Sequence, residues 1–455
     1  MSLLLSISPP ATGLLPQAES QLTYALLRIA ADSGGGGAPV HWAVVADASR
    51  SMRIPIVSDE QFRALARSGD VQEVLVDGVP VWQLAGPVPE DVRAAAPSAL
   101  DHTARALHSM IERLDRADRL VLIACAEEAF TLVSAGGGNR AALVAGIARL
   151  PALRLGDLTN LAPGLQSALA EFQSGNADVL RRIVLITDGF VRDADACLDL
   201  ARTAAELGVA VSTFGLGSEF QLDLATRLAD ITGGRASFLR RPDQIPAAVA
   251  AELDAARGVV ARALTVELRL PQGVTLRRAT RLRPALAPLE AVGADPRRPT
   301  FRLGDLGRGD DVQVLLELLA PPVPPRPVPG GARIRLAEIV AQSGANEARA
   351  DLVGHYRADA SPPAPTILAA AARAAVAHLQ QRAATAVARS DPAAAAVALR
   401  ALAVRLRDLG EPAMADAALA EAAALSTTGR DTGIGARELT YATRRLGEDE
   451  LTDTR

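Results

Sequence analysis

The apolar run His41-Trp42-Ala43-Val44-Val45-Ala46 passes without a break into Asp47-Ala48-Ser49-Arg50-Ser51-Met52. An apolar run without polar alternation describes a strand covered on both faces, as strands of parallel sheets are. The carboxylate and two hydroxyls that follow at alternate positions then leave the carboxyl end of that strand, where open α/β sheets bind their ligands. Outward from this stretch the texture repeats: RLVLIACA (119–126), RRIVLITD (181–188) and VAVSTFGLG (209–217) read as further buried strands. Between and after them lie the amphipathic stretches ALDHTARALHSMIERL (99–114), RAALVAGIARL (140–150), APGLQSALAEFQS (162–174), ACLDLARTAAELG (196–208) and DLATRLADITG (223–233). Strands alternating with helices predict a doubly wound, mostly parallel α/β sheet.

The 455 residues are too many for one ordinary core, and the flanks read differently. LLLSIS (3–8) and SQLTYALLRIA (20–30) look like strands and end at the glycine run of Ser33–Gly37. Beyond residue 255, ALTVELRLP, VTLRRATRLR, TFRLGDL, DVQVLLELLA and ARIRLAEIVAQ are strand-like without intervening helices, which predicts a β-sandwich. The Pro-rich Ala320–Gly331 between two of them reads as a stiff connection, with a ligand for a Pro-recognition domain as the alternative. From Pro365 the chain is Ala-rich and helical over 365–389, 391–409 and 411–426, a C-terminal α-helical bundle in which Ser390-Asp391-Pro392 starts a helix and Gly410 stops one. The organisation is therefore 1–37 N-terminal strands contributing to the sandwich, 38–255 α/β domain, 256–360 sandwich, 361–430 helical domain and 431–455 tail. In that tail RELTYATRRLG, from Arg437, could dock back as a strand.

Composition excludes several classes. Hydrophobic residues are 49% and charged residues 22%, so disorder and fibrous classes do not apply. A net charge of −4 with mixed signs gives no footprint for nucleic acid or an anionic membrane. No apolar run reaches the length of a membrane span, and the N-terminus lacks a basic region before its prolines. Two cysteines, Cys125 and Cys197, suit buried thiols of a reducing, cytoplasmic compartment. Ala/Arg/Leu-rich composition suggests a bacterial source. The five histidines are scattered, and no zinc spacing, GxSxG elbow, P-loop or dinucleotide fingerprint occurs.

Two further elements belong with the opening stretch. Gly156-Asp157-Leu158-Thr159-Asn160-Leu161 precedes an amphipathic helix, and Asp188-Gly189 follows an apolar strand. Alone, DxSxS also fits a helix N-cap; three motifs at strand ends point to convergence. Asp47-x-Ser49-x-Ser51, Thr159 and Asp188-Gly189 together resemble the metal-ion-dependent adhesion site of the von Willebrand factor A family, and the resemblance covers about 38–255. It implies that Ser49, Ser51 and Thr159 hold a divalent cation, directly or through water, while Asp47 and Asp188 touch it or hold its waters. Magnesium fits a site rich in hydroxyls and poor in carboxylates, with manganese or calcium as alternatives.

The resemblance further implies a non-enzymatic interaction protein whose partner offers an Asp or Glu to the metal. The alternatives are an accessory subunit of an AAA+ ATPase or chaperone, or a metal-dependent hydrolase with Asp157 or Asp188 as base. The chain departs from a minimal domain of this family in an insertion, Arg53–Ser98, which contains DEQFRALARSG and a hairpin, VQEVLVDGVPVWQL, turning at Asp77-Gly78. It must lie beside the metal face, either as an extension of the domain or as a specificity element offering Asp59, Glu60 or Asp77. Sequence leaves the oligomeric state open.

Overall fold

The computed structural model describes the chain except residues 1, 10, 33–36, 56–58, 70, 77–78, 85–95, 174–178, 218–219, 324–331, 358–361 and 447–455. The chain opens with β1 (Leu3–Ser8), β2 (Ala11–Leu14) and β3 (Gln21–Ala31). The α/β domain follows as β4 (Val40–Asp47), α1 (Asp59–Ser68), β5 (Val71–Val76), β6 (Val79–Leu84), α2 (Ala99–Arg113), β7 (Arg119–Cys125) and β8 (Ala129–Gly136). It continues through α3 (Arg140–Ala148), α4 (Ala162–Gln173), β9 (Leu180–Thr187), α5 (Ala194–Glu206), β10 (Ala210–Leu216), α6 (Leu222–Thr232), β11 (Ala236–Leu239) and α7 (Ile245–Arg257). Strands then return as β12 (Val259–Arg269), β13 (Thr275–Arg283), β14 (Ala287–Pro288), β15 (Thr300–Gly307), β16 (Asp311–Ala320), β17 (Ala332–Ser343) and β18 (Asn346–Tyr356). Helices α8 (Pro365–Ala388), α9 (Pro392–Asp408), α10 (Pro412–Thr428) and α11 (Ile434–Arg445) close the chain.

The central sheet has the order β11-β10-β9-β4-β7-β8. All neighbours are parallel except β8, an antiparallel edge paired with β7. Every residue of β4 is buried, as its unbroken apolar run requires. Its side chains alternate between two cores. Trp42, Val44 and Ala46 face Leu100, Leu107, Leu143 and Leu253 of α2, α3 and α7, while Ala43 and Val45 face Leu165, Leu169 and Leu198 of α4 and α5. The insertion holds α1 and the β5–β6 hairpin, which pairs from Val71↔Leu84 to Val76↔Val79; its Asp77-Gly78 turn lies outside the described residues.

The N-terminal and returning strands share one sandwich, with sheet orders β1-β3-β16-β13-β14 and β15-β12-β17-β18-β2. Strand β3 pairs with β16 from Gln21↔Ala320 to Ala30↔Asp311, so strands far apart in sequence close a single apolar core around Leu27, Val266, Leu316 and Ile339. Helices α8, α9 and α10 pack through alanines, including Ala374, Ala395 and Ala418, onto Leu282 and Leu315 of the sandwich. The tail departs from its expected strand: residues 434–445 are helix α11, with Leu439 buried and Thr440 accepting from Gln380 of α8. Its amphipathic pattern is satisfied against neighbouring helices rather than in a ladder.

Two buried ionic groups join these parts. At the base of the sheet Arg182 of β9 contacts Glu252 of α7 at 3.4 Å and Asp305 of β15 at 2.9 Å. At its side Asp230 of α6 receives Arg281 of β13 at 2.6 Å and Arg444 of α11 at 2.7 Å. Between the two, Gly233 and Gly304 meet so closely that a Cβ on Gly233 would stand 2.1 Å from the Gly304 Cα, and both have positive φ.

Burial raises the Asp230 pKa, but Arg444 and Arg281 outweigh it and hold the carboxyl below its ordinary range. Its stabilisation is thus complete above the unfolded carboxylate pKa and is lost as pH falls through the lower folded value. Asp230→Ala leaves Arg281 buried without its anion and is expected to cost about 3 kcal/mol in urea unfolding at pH 7. The gap from wild type should narrow below about pH 4. A constant gap down to pH 2 would show that the carboxylate charge contributes nothing.

Candidate metal centre

Parallel pairing of β4 with β9 aligns Ala46 with Ile186, so Asp47 and the Thr187-Asp188 end of β9 emerge side by side. Asp47 is fully buried, and a carboxylate there needs its lone pairs filled. Its Oδ1 accepts the Ser49 N–H at 2.8 Å, and its Oδ2 accepts the Thr187 hydroxyl at 2.6 Å. Burial raises its pKa, opposed by hydrogen bonds from Thr187, Ser49 and Thr159. Ser49 and Ser51 bring their hydroxyls within 3.2 Å of each other, and Ser51 donates to Asp188 Oδ1 at 2.6 Å. Asp188 is pushed up to about 7, first by burial and then by the charge of Asp47.

Thr159 arrives from the loop before α4 and is buried. A Cβ at residue 189 would stand 2.6 Å from its Oγ1, so glycine there makes room for the threonine hydroxyl. Asp47, Ser49, Ser51 and Asp188 are thus joined by hydrogen bonds, and Thr159, from a third loop, packs against Gly189 beside them. Asp157 instead turns its carboxylate to Arg53 at 3.2 Å and is 68% exposed. The side chains of Asp59 and Glu60, and all of Asp77, lie outside the described residues.

The loops are tied by residues the sequence reading did not single out. Thr187 accepts the Gly189 N–H at 3.3 Å while donating to Asp47; a threonine ending an otherwise apolar strand beside Asp188 was the available signal. Asp193 accepts from the Leu161 and Ala162 N–H groups at 3.0 and 2.8 Å, capping α4 from the loop that carries Asp188. Glu127 accepts the Asp157 N–H at 3.2 Å, and Arg53 donates to the Gly156 carbonyl at 3.1 Å. The Thr159 loop is therefore held from both sides.

The donor set fits a hard cation. It offers three hydroxyls and two carboxylates, and among the described residues no group of three His, Cys, Asp or Glu assembles. Oxygen donors of this kind are those a divalent cation that keeps its waters takes. No side-chain cation pairs with Asp47 or Asp188 among the described residues, so two neighbouring negative groups leave room for a positive charge.

Residues 90–190 match the sequence model of the von Willebrand factor type A domain, and residues 365–449 that of the Sll0103-like, C-terminal alpha-helical domain. The first match includes Thr159 and Asp188 and begins after Asp47–Ser51. Protein sll0103 of Synechocystis sp. is 30% identical over 138 residues, covering 30% of this chain and 32% of that protein, so the similarity spans about a third of the relative. The solved von Willebrand factor type A protein from Catenulispora acidiphila superposes with TM-score 0.71 at 14% identity, covering 98% of this chain and 96% of its own. The ArnB paralog VWA2 from Sulfolobus acidocaldarius gives TM-score 0.56 at 15% identity, covering 98% and 99%. At these identities the likeness is one of fold, and it extends over all three parts of the chain.

Gly189→Ala tests the contact between loops. The added Cβ must displace the buried Thr159 hydroxyl, so Mn²⁺ affinity should fall at least tenfold, while far-ultraviolet circular dichroism should show the fold retained because the change is confined to two loops at the sheet end. Unchanged affinity would remove Thr159 from the centre.

Proposed function

We propose that this chain, which carries a von Willebrand factor type A domain and a C-terminal Sll0103-like helical domain, is a non-enzymatic docking protein that takes an acidic side chain of a partner protein through a divalent cation. The observation that carries this reading is the meeting of Asp47, Ser49, Ser51, Thr159 and Asp188 at the carboxyl ends of β4 and β9. Magnesium, bound there, would supply an electrophilic position for one anionic oxygen, because hydroxyl donors leave more of its charge uncompensated than carboxylates do.

The chain's own residues do the positioning. Thr187 and the Ser49 N–H orient Asp47, Ser51 orients Asp188, and Asp193 fixes the start of α4 behind Thr159. The candidate bases for a hydrolytic reading are engaged, Asp157 by Arg53 and Asp188 by Ser51. This favours docking over turnover. No helix among the described residues is long and apolar enough to cross a membrane. The two cysteines are free and buried, and burial pushes the Cys125 thiol up to about 12, which supports a reducing, cytoplasmic setting.

Calorimetric titration of Mg²⁺ into chelator-treated protein should give one site per chain in wild type and none in Ser49→Ala/Ser51→Ala. Selection from a random displayed-peptide library should then enrich Asp- or Glu-containing peptides in Mg²⁺ but not in EDTA. Silent wild-type titration would refute the metal centre, whereas metal binding with enrichment of non-acidic peptides would refute acidic docking alone.

A further inference from the structure

The helical domain and the sandwich enclose a cleft of about 490 Å³, away from the loops of the metal centre. One wall is the α8 face of Ala375, His378, Leu379 and Arg382, spaced as neighbours on one helix side. The other comes from Ala401, Val404 and Arg405 of α9, with Arg278 of β13 at the sandwich end. A second cleft, of about 330 Å³, shares Arg382 and continues past Thr385 to Arg389 at the α8–α9 elbow. The two clefts meet at Arg382, along the same helix.

Its chemistry is amphipathic. Val404 is 58% exposed on the floor, and Val397, two helical turns earlier on α9, is 59% exposed, so α9 presents an apolar stripe that no element covers among the described residues. His378 is tied to Thr280 at 2.9 Å, which fixes the α8 wall on the sandwich. Arg278, Arg382 and Arg389 have no acidic partner among the described residues, while Arg405 pairs with Asp408 at 3.3 Å. The acid at the elbow, Asp391, is engaged in capping the Ala394 N–H at 2.9 Å. Guanidinium groups without counter-ions, set along both edges of an apolar floor, complement carboxylates flanking an apolar ridge.

The groove's length selects a chain-like occupant. From Ala375 to Ala386 α8 rises about 17 Å, or three turns, the reach of a short helix laid alongside it. We propose that this groove docks an acidic amphipathic helix of a partner protein, whose apolar residues seat between Leu379 and Val404 and whose carboxylates face Arg278, Arg382 and Arg389. The site is separate from the metal centre and does not depend on it.

The test uses the full chain and a fluorescein-labelled peptide of about fifteen residues, built of leucines at heptad spacing with glutamates elsewhere. Fluorescence anisotropy in EDTA should show saturable binding, weakened at least tenfold by Arg278→Glu/Arg382→Glu. Val404→Glu should weaken it equally, and both variants should keep the wild-type unfolding midpoint because the altered side chains are exposed. A scrambled peptide of the same composition binding as tightly, or no binding of either, would overturn the proposal. So would arginine-dependent binding of phosphatidylglycerol vesicles without binding of the peptide. A tenfold gain on deleting residues 447–455 would assign the groove to the chain's own acidic end and equally overturn a partner helix.

Discussion

The loop face depends on one costly feature, the fully buried carboxylate of Asp47. An isolated charge in such a place is unstable, so its surroundings must be polar and fixed. The Ser49 N–H and the Thr187 hydroxyl meet that demand from opposite sides, one from the same loop and one from the neighbouring strand. Thr187 also receives the Gly189 N–H, and Gly189 in turn makes room for Thr159. Satisfying one carboxylate therefore sets the positions of two further loops. The hydroxyl cluster follows from the electrostatics of the strand end rather than standing on it as an independent ornament.

The same logic recurs at larger scale. Arg182 sits within the central sheet and spans α7 and the sandwich strand β15, while Asp230 spans β13 and α11. Buried ionic contacts contribute little over well-packed apolar ones, but breaking one leaves an uncompensated charge. They therefore penalise displacement more than they reward assembly. Together with the close approach of Gly233 and Gly304, they give the α/β domain one seating against the sandwich and the last helix.

Much of this was legible because the decisive signals are local. The unbroken runs ending at Asp47 and Asp188 announce buried parallel strands, and chemistry-bearing residues at strand ends are where such sheets place their sites. What escaped was either weak locally or made by distant partners. Strand β8, AFTLVSAG, mixes small and polar residues as an antiparallel edge does, and so lacks the apolar run of its neighbours. Strand β18 alternates over NEARAD with charged residues outward, and β2 is only four residues long. The segment of helix α11 is compatible with a strand, since Thr440, Tyr441 and Thr443 favour extended backbone, yet Arg437 reaches the Phe220 carbonyl and Arg444 reaches Asp230. No local pattern in 437–444 names residues more than two hundred positions away. Asp193 escaped for a related reason: it precedes its own helix but caps another one.

The insertion shows how the site tolerates so large a departure. Met52, in the short helical turn after the serines, is buried under the sheet, and Pro55 then bridges to Ser98. Ser98 and Asp101 cap each other's backbone to start α2, whose Leu100 and Leu107 enter the core. The chain consequently leaves at residue 55 and returns at residue 98 through one point, with well-formed structure on both sides. Closing a long loop across a fixed point costs entropy that grows only slowly with length, so residues 56–97 can lengthen without straining Ser49 or Ser51. The motif and its helix behave as if contiguous, and the geometry of the centre is set by Asp47, Thr187 and Asp193 without the inserted α1 and hairpin.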